Sequence, residues 1–455
     1  MQADSRRQSV LFPDLLKRPV LAAFDEPDTT SDGGALLLKA LDDRVGLTAA
    51  LAGAIPDRRQ PGKVRHALDE LVRQRVFGLA CGYEDANDAA RLGHDPLHKL
   101  LLGRDPLAGA ALASQPTLSR FESSFSGTEL FRMGSALADT VLRSHRRRLG
   151  RGVRRITVDL DPTDDPAHGR QQGVLFNGFY NNWCYLPLLA FVRFADEPEQ
   201  YLVAALLRPG RAHPTAGARC LLRHLLSRLR TLFPKARILV RLDGGFLSPG
   251  MLGFLEGQRK VDFVVGLPQN SVLLRRIEPW MLEAIVASHR SGASAACFTD
   301  FRYVARSWQG FTRRVVAKAE VVRLDDRAPR PNPRFVVTNL RHRADQVHAI
   351  YCGRGEIENR IKELKHDLAL DRTSCQAFAA NQLRLLLTTA AFALLQLLRR
   401  PLPERPRVQT LRLWLLKIGA RVDCSVRRVV VHLARNHPWR DQWRRMAIAL
   451  GAAST

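Results

Sequence analysis

The chain has 455 residues, with 70 Lys and Arg against 44 Asp and Glu, which gives a formal net charge of +26. Its length suits about two to four domains of ordinary size. A surplus of cations this large, most of them arginines, is typical of proteins that neutralise phosphates, because a guanidinium can bind phosphate through two hydrogen bonds. Charge and composition therefore favour nucleic acid over a membrane surface as the partner.

The cysteines and the apolar runs bear on the compartment. Seven cysteines are scattered along the chain and none forms a Cys-x-x-Cys pair, so neither a zinc site nor a disulfide framework is indicated. The first residues hold no apolar run of signal-peptide length. The longest apolar stretch, Leu385–Leu398, is shorter than the ~20 residues that cross a bilayer. We therefore expect a soluble cytoplasmic protein, associated with the nucleoid and without a membrane partner.

Residues 1–150 are predicted to form a helical DNA-binding region. Helical apolar patterns cover about residues 31–52 and 64–81. A further helix is predicted near Pro116, with Ser119 and Arg120 on its polar side. That helix is either the recognition helix of a helix-turn-helix, with Ser119 and Arg120 on DNA, or an ordinary capped helix, and the sequence leaves both open. An arginine-rich segment, residues 144–155, marks the boundary.

After this boundary the pattern becomes that of an α/β protein with a mixed sheet. Residues 151–269 are predicted to contain strands and two helices, with the strands near 156–161, 185–194, 200–208, 237–242 and 261–267 and the helices near 215–232 and 248–258. Residues 270–332, a helical piece and a strand-rich stretch, look like an insertion. The core resumes over 333–400, with a strand at 335–340 and a helix after it, and a basic region follows over 401–455.

Two aspartates end predicted strands and could bind a metal ion. Asp161 precedes Pro162, which cannot continue a central ladder, and Asp243 precedes two glycines that would let a substrate backbone approach. Asp159 lies on the same strand face as Asp161, so periodicity alone does not decide between them, although the strand-terminal position favours Asp161. Convergent carboxylates of this kind suit Mg²⁺, which prefers oxygen ligands.

A third acid lies between cations on a predicted helix. Four residues recur at offsets of three, seven and fourteen, so one continuous helix would gather them on one face: Tyr351, Arg354, Glu358 and Lys365. Glu356 and Glu363 fall far from the middle of that face, which makes Glu358 the better ligand. Taken alone, the face is also explained by ordinary ion pairs on an exposed helix.

The spacing Tyr351-x2-Arg354-x3-Glu358-x6-Lys365 resembles the signature of RNase H-like DDE transposases of bacterial insertion sequences. The chain is similar to the group named after insertion sequence 1380 over about residues 30–435. Six further stretches carry this similarity: Gly82–Asp88, Leu112–Glu122, Asp161–Gly169, Asn177–Tyr180, Cys184–Leu188 and Asp371–Ser374. One departure is Asp243-Gly244-Gly245-Phe246, where relatives often have Asp-Ser-Gly-Phe.

The resemblance implies a multi-domain α/β protein with an RNase H-like mixed-sheet core, interrupted by a strand-rich insertion and preceded by a helical N-terminal domain. It implies that Asp161, Asp243 and Glu358 are the catalytic DDE triad and bind two Mg²⁺ ions, for which Mn²⁺ can substitute. Tyr351, Arg354 and Lys365 would hold phosphates at the transposon end.

The expected activity is cut-and-paste transposition, in which double-stranded DNA is cleaved at terminal inverted repeats and joined to target DNA. Because two ends must be joined together, a homodimer on paired ends is expected. Two alternatives remain: an RNase H-like nuclease without strand transfer, and a non-catalytic, transposase-derived DNA-binding protein.

In the insertion, Trp308 is predicted to stack on a base extruded near the cleaved end, while Arg313 and Arg314 contact the DNA backbone. The alternative for an isolated tryptophan on a strand is a place in the core.

Overall fold

The computed structural model of the chain describes residues 10–167, 169–324 and 327–453. The α-helices of this part of the chain are α1 (Leu36–Val45), α2 (Leu47–Gly53), α3 (Leu68–Cys81), α4 (Ala86–Arg91), α5 (Pro96–Leu101), α6 (Gln115–Glu122), α7 (Gly127–Leu149), α8 (Ala218–Leu232), α9 (Pro249–Glu256), α10 (Ser271–Arg276), α11 (Glu278–Ser291), α12 (Ala344–Cys352), α13 (Glu356–Leu368), α14 (Phe378–Arg399), α15 (Val408–Leu411) and α16 (Arg440–Ala449).

The strands of the same part are β1 (Val10–Phe12), β2 (Val20–Ala22), β3 (Thr29–Thr30), β4 (Arg155–Pro162), β5 (Asp165–Pro166), β6 (Leu175–Asn177), β7 (Asn182–Tyr185), β8 (Leu188–Phe194), β9 (Tyr201–Leu206), β10 (Arg237–Leu242), β11 (Val261–Leu267), β12 (Ala295–Tyr303), β13 (Arg313–Val322), β14 (Arg330–Pro331), β15 (Arg334–Thr338), β16 (Ala420–Ser425) and β17 (Arg428–Leu433). The strands predicted at 237–242 and 261–267 are confirmed as β10 and β11.

A large mixed sheet occupies the middle of the molecule. Its strand order is β12-β13-β15-β11-β10-β4-β8-β9, and β14 pairs with β13. Strands β4, β10 and β11 run parallel, whereas β8 and β9 on one side and β15, β13 and β12 on the other pair antiparallel. Helices α8 and α9 connect β9 to β10 and β10 to β11. The prediction of a mixed sheet is confirmed.

The predicted insertion, residues 270–332, contributes to this same sheet. Its strand β13 pairs with β15 of the following segment, and β12 forms the edge beyond β13. Helix α11 packs on both of these strands. The insertion therefore extends the central sheet instead of forming a sheet of its own.

Helix α14 joins the helical N-terminal part to the sheet. It contacts α3 and α7 on one side and β9 on the other. Among the described residues it is the one helix long and apolar enough to cross a membrane, and 83% of its most apolar window is buried within the protein. Such burial is usual for the core helix of a globular protein.

Two predicted elements are each divided in two. The helix predicted over about 31–52 is α1 and α2, separated at Gly46, whose φ of 76° lies in the left-handed region that favours glycine. The strand predicted over 185–194 is divided between β7, which ends at Tyr185, and β8, which begins at Leu188; Pro187 between them has no N–H to donate to a ladder.

The prediction of one continuous helix from Tyr351 to Lys365 is wrong. Helix α12 ends at Cys352, a 3₁₀ turn spans Gly353–Gly355, and α13 begins at Glu356. Arg241 of β10 lies against this turn, and its Nη1 donates to the carbonyl of Ile350 at 2.9 Å. A Cβ at Gly353 would lie only 2.5 Å from the same Nη1, so the backbone approaches Arg241 closely at the break.

Candidate active site

Two predicted catalytic acids lie side by side at the carboxyl ends of neighbouring strands. In the parallel pairing of β4 with β10, Arg241 lies opposite Asp159. Two residues further along each strand, Asp243 follows opposite Asp161, and adjacent strands are ~4.8 Å apart. The Oδ1 of Asp243 accepts a hydrogen bond from the N–H of Gly245 at 2.8 Å, which orients this carboxylate at the strand end.

Arg354 lies between Asp161 and the third acid. Its Nη1 donates to Asp161 Oδ2 at 2.9 Å, and its Nη2 lies 3.9 Å from Glu358 Oε1. Glu358 is in the first turn of α13, and its side chain is 58% exposed. The break before α13 thus brings the arginine and the glutamate to the ends of β4 and β10.

The electrostatics of Asp161 reflect this crowding of acids. Burial raises the pKa of Asp161 to about 7; the charge and hydrogen bond of Arg354 oppose the rise, and the charges of Asp243 and Glu358 add to it. A carboxyl with so high a pKa lacks sufficient counter-charge, and a hard cation would supply it. Because three carboxylates form the donor set, the residues fit Mg²⁺ or Mn²⁺. The ligand atoms of Asp161, Asp243 and Glu358 do not all lie within 4.8 Å of one another. Among the described residues, the ligand atoms of Asp32, Cys81 and His98 do.

The structure distinguishes Asp161 from Asp159. Asp159 is fully buried and accepts hydrogen bonds from Arg241 Nε and Nη2, each at 2.7 Å. Gln200 Nε2 donates to it as well, at 2.7 Å. These three donors occupy the carboxylate, so Asp159 is an internal ion-pair partner and has no access to DNA or a metal ion.

The rivals of Glu358 also lie in different surroundings. Glu363 is buried and pairs with Arg399 of α14 and, at 2.8 Å, with Arg360. The backbone N–H of Val408 donates to it at 2.9 Å. Glu356 is exposed at the start of α13. Glu363 therefore holds α13 to the core and is not available as a ligand.

The other two residues of the signature, Tyr351 and Lys365, have different partners. Tyr351 is half-buried with its hydroxyl against Gly266 of β11, where an added Cβ would lie 2.7 Å away. Burial raises the pKa of Tyr351, and the Asp243 charge adds to the effect. Lys365 Nζ lies 2.6 Å from Asp164 Oδ1, just beyond β4. Asp164 has no predicted role, although it lies within the Asp161–Gly169 stretch.

The three residues of the predicted insertion that were expected to bind DNA each have partners within the protein. Trp308 is 2% exposed and meets the Tyr303 ring edge-on, with centroids 5.5 Å apart. Arg313 lies over the Trp308 ring and makes two hydrogen bonds to Glu256, at 2.6 and 2.8 Å. Arg314 pairs with Asp300. Trp308 has no open ring face in this arrangement, so its predicted stacking role is replaced by a place in the core.

Ser119 and Arg120 are exposed on α6. The opposite side of this helix buries Leu118 and Phe121, and α6 packs against α4 and α14. The position fits both sequence interpretations, a DNA-reading helix and an ordinary capped helix.

Tyr180 is a further residue whose hydroxyl senses the predicted catalytic acids, and the sequence-based prediction gives it no role. Burial raises its pKa to about 12, and the charges of Asp164, Asp161 and Asp243 add to the effect. It lies in the turn between β6 and β7. The signal available in the sequence was the Asn177–Tyr180 stretch, which contributed to the family resemblance without a role.

Comparisons with known proteins give the following findings. The model of the family described as "Transposase DDE domain group 1" matches residues 12–455. No curated protein matches the chain. Among solved structures, the chain is similar to the piggyBac transposase in a synaptic complex with hairpin DNA, at 11% identity and a TM-score of 0.41, over 85% of this chain and 80% of that one.

Proposed function

Because the chain belongs to the DDE transposase family, with its match over residues 12–455, we propose that it cleaves DNA at the ends of its element and joins them to target DNA. Asp161, Asp243 and Glu358 are the catalytic carboxylates in this proposal. The observation that carries it is the parallel register that puts Asp161 and Asp243 side by side, with Arg354 reaching from Asp161 to Glu358.

The arrangement of the sheet supports an RNase H-like core. Five strands in the order β9-β8-β4-β10-β11 have three parallel members and an antiparallel pair at one side. The first acid lies on the central strand, the second directly follows the parallel neighbour of that strand, and the third lies on a helix after the insertion. This is the arrangement that the family resemblance implies.

Asp161, Asp243 and Glu358 would hold two Mg²⁺ ions, whose chemistry when bound is to activate the attacking oxygen and stabilise the leaving one. The protein's own cations position the DNA. Arg354 has five N–H donors and uses only part of them on the acids, so it can also hold a phosphate, as can Lys365. Water attacks the phosphodiester at the element's end, and the freed 3′-OH then attacks target DNA, both as in-line displacements.

The remaining regions have roles in the same proposal. Residues 1–150 bind the terminal inverted repeats, with Ser119 and Arg120 on the exposed face of α6. Residues 151–269 and 333–400 form the catalytic core, 270–332 is the insertion, and 401–455 is a basic C-terminal region. A homodimer holds the paired ends, because one reaction joins two of them.

The test is metal-dependent cleavage of DNA that carries the element's ends. Asp161→Asn, Asp243→Asn and Glu358→Gln should each cut at least about 100-fold more slowly, since several kcal/mol of transition-state stabilisation are lost. Their binding to the ends, measured by mobility shift, should persist. Glu356→Gln is the matched control, an exposed acid two residues from Glu358, and should cut normally. Triad variants that cut as fast as wild type would refute the assignment.

The same reaction separates the transposase from a nuclease. A transposase joins the freed 3′-OH to a second DNA, and the joined product migrates as a new species on a denaturing gel. Nicked ends without any joined product would support the RNase H-like nuclease instead.

A further inference from the structure

A hairpin beside the acids exposes aromatic rings to solvent. We call residues 175–185, which comprise β6, its turn and β7, the aromatic hairpin. Phe179 at its tip is 86% exposed and Trp183 is 56% exposed. The turn is stabilised by its own side chain, because Asn177 Oδ1 accepts hydrogen bonds from the backbone N–H groups of Phe179 and Tyr180 at 3.0 and 3.2 Å. The turn therefore presents the Phe179 ring to solvent.

Two hydrogen bonds fix the aromatic hairpin to the body of the protein. Asn177 Nδ2 donates to the carbonyl of Gly210 at 2.7 Å, and Arg211 Nε donates to the carbonyl of Phe176 at 3.1 Å. A Cβ at Gly210 would lie 2.2 Å from the Cys184 carbonyl oxygen, so the two backbones are in close contact. The rings are therefore presented from a rigid base.

The aromatic hairpin lies beside the segment that follows Asp161. Strand β7 pairs with β5, which starts four residues after Asp161, and the N–H of Ala167 donates to the Trp183 carbonyl at 2.9 Å. Tyr180 is close enough for the charge of Asp161 to act on its hydroxyl. Phe179 meets Tyr180 edge-on, with ring centroids 4.9 Å apart. Phe179 therefore contacts a tyrosine that senses the charges of these acids.

An unpaired nucleobase is the ligand that fits these features. Every base has a π-face that stacks on an aromatic ring, and proteins that hold single-stranded DNA combine such rings with cations for the backbone. Arg211, bound to the hairpin and exposed, provides such a cation. The net charge of +26 favours a polyanion such as DNA as the ligand of this hairpin, over a protein surface with few acidic groups.

We propose that the aromatic hairpin binds an unpaired nucleobase of the DNA beside the catalytic acids, with Phe179 as the stacking surface. The inference deepens the proposed function and rests on it for the identity of the DNA. Trp183 provides a second ring on the same hairpin. The buried Trp308, in contrast, plays no part in binding the base.

The test is a binding measurement without metal ions, so that no cleavage is needed. Full-length protein is titrated with a fluorescein-labelled blunt DNA duplex and with the same duplex carrying a short unpaired oligothymidine tail. Wild type should bind the tailed duplex more tightly. Phe179→Ala should weaken binding of the tailed duplex by roughly 5- to 150-fold, the equivalent of one lost base stack, and leave the blunt duplex almost unchanged. Phe179→Trp should retain the preference.

Phe131→Ala is the matched control, because Phe131 is 63% exposed on α7 and meets His224 instead of the acids. It should bind both duplexes like wild type. The inference is overturned if wild type shows no preference for the tail, if Phe179→Ala weakens both duplexes equally, or if that variant changes the oligomeric state instead, measured by light scattering. A failure of Asp161→Asn to reduce cleavage would refute the triad and leave this binding result unaffected.

Discussion

Asp159, Asp161 and Asp165 lie within one short segment, and the structure gives each carboxylate a different role. Asp159 is held by Arg241 and Gln200, and Asp161 meets Arg354. Asp165 is buried and accepts hydrogen bonds from Thr373 Oγ1 at 2.8 and 2.9 Å. The partners come from distant parts of the chain, so the residue type alone does not reveal which aspartate is structural.

Asp165 makes stability depend on pH. Burial raises its pKa to about 7; the Thr373 hydrogen bond opposes the rise and the Asp371 charge adds to it. Because the pKa in the folded state lies above that of the unfolded chain, the stabilising contribution of the protonated form is present below about pH 4 and is lost as pH rises to about 7. Over this window wild type should lose up to about 4 kcal/mol from this group.

Asp165→Asn, which stays neutral, should lose less stability than wild type between these pH values. Urea denaturation followed by tryptophan fluorescence measures the free energy of unfolding at each pH. Asp43→Asn is the control, since Asp43 is 54% exposed and pairs with Lys39 four residues earlier. If the free energy of unfolding falls equally steeply with rising pH in wild type and Asp165→Asn, the prediction is contradicted.

At the scale of elements, the break between α12 and α13 sets the position of the third acid. In one continuous helix, Tyr351 and Glu358 would share a face along a single axis. The turn at Gly353–Gly355 lets Arg354 reach Asp161, while Glu358 lies in the first turn of α13. The buried pair of Arg241 with Asp159 lies beneath this turn, so the ion pair positions the helix that carries Glu358.

Gly353→Ala should disturb catalysis by moving this turn. The added Cβ would lie 2.5 Å from Arg241 Nη1, and a shift of about 1 Å in a catalytic group can cost about 100-fold in rate. Cleavage of element ends in Mg²⁺ measures the effect, and urea denaturation reports the accompanying loss of stability, about 1–3 kcal/mol for overpacking.

Gly355→Ala is the matched control, because no atom lies within 4 Å of its added Cβ. It should cut almost as fast as wild type. If both alanine variants cut at the same rate, the break does not position Glu358.

At the scale of the whole molecule, the N-terminal and C-terminal parts of the described chain are joined. Strand β3 pairs with β16, and Asp32 lies 2.8 Å from Lys417 Nζ. Asp32 also meets His98 Nε2 at 2.9 Å, and the hydroxyl of Tyr83 donates to it at 2.8 Å. Burial acts to raise the pKa of Asp32, but hydrogen bonds and charges from His98 and Lys417 outweigh it and hold the pKa below its usual value. Although Asp32, His98 and Cys81 are spaced as metal ligands could be, the lysine already provides the cation.

Lys417→Met should destabilise the whole protein, because it leaves Asp32 buried without its cation. The expected loss is about 3 kcal/mol in the free energy of unfolding, measured by urea denaturation. Lys39→Met, which removes an exposed ion pair with Asp43, should cost less than about 1 kcal/mol. Equal effects of the two substitutions would show that Asp32 and Lys417 do not hold the two ends together.

The hydrophobic core shows the same continuity. One cluster of buried residues runs from α1 through α14 to the central sheet, with Leu38, Phe77, Leu387 and Val240 among its members. Segments that look separate in sequence therefore share one core, because α14 packs against helices and strands alike.

The sequence by itself determined the mixed α/β pattern of the central region and the bounds of β10 and β11, whereas the choice of Glu358 over Glu356 and Glu363 assumed one continuous helix and stays a prediction. Periodicity and residue chemistry are local, and they are legible along a single segment. The tertiary structure alone decided that Asp159 is internally paired, that the helix breaks at Gly353, and that Trp308 is buried while Phe179 is exposed. Each of these depends on a partner from a distant segment, such as Arg241 or Tyr303, and no local pattern records which distant side chains will meet.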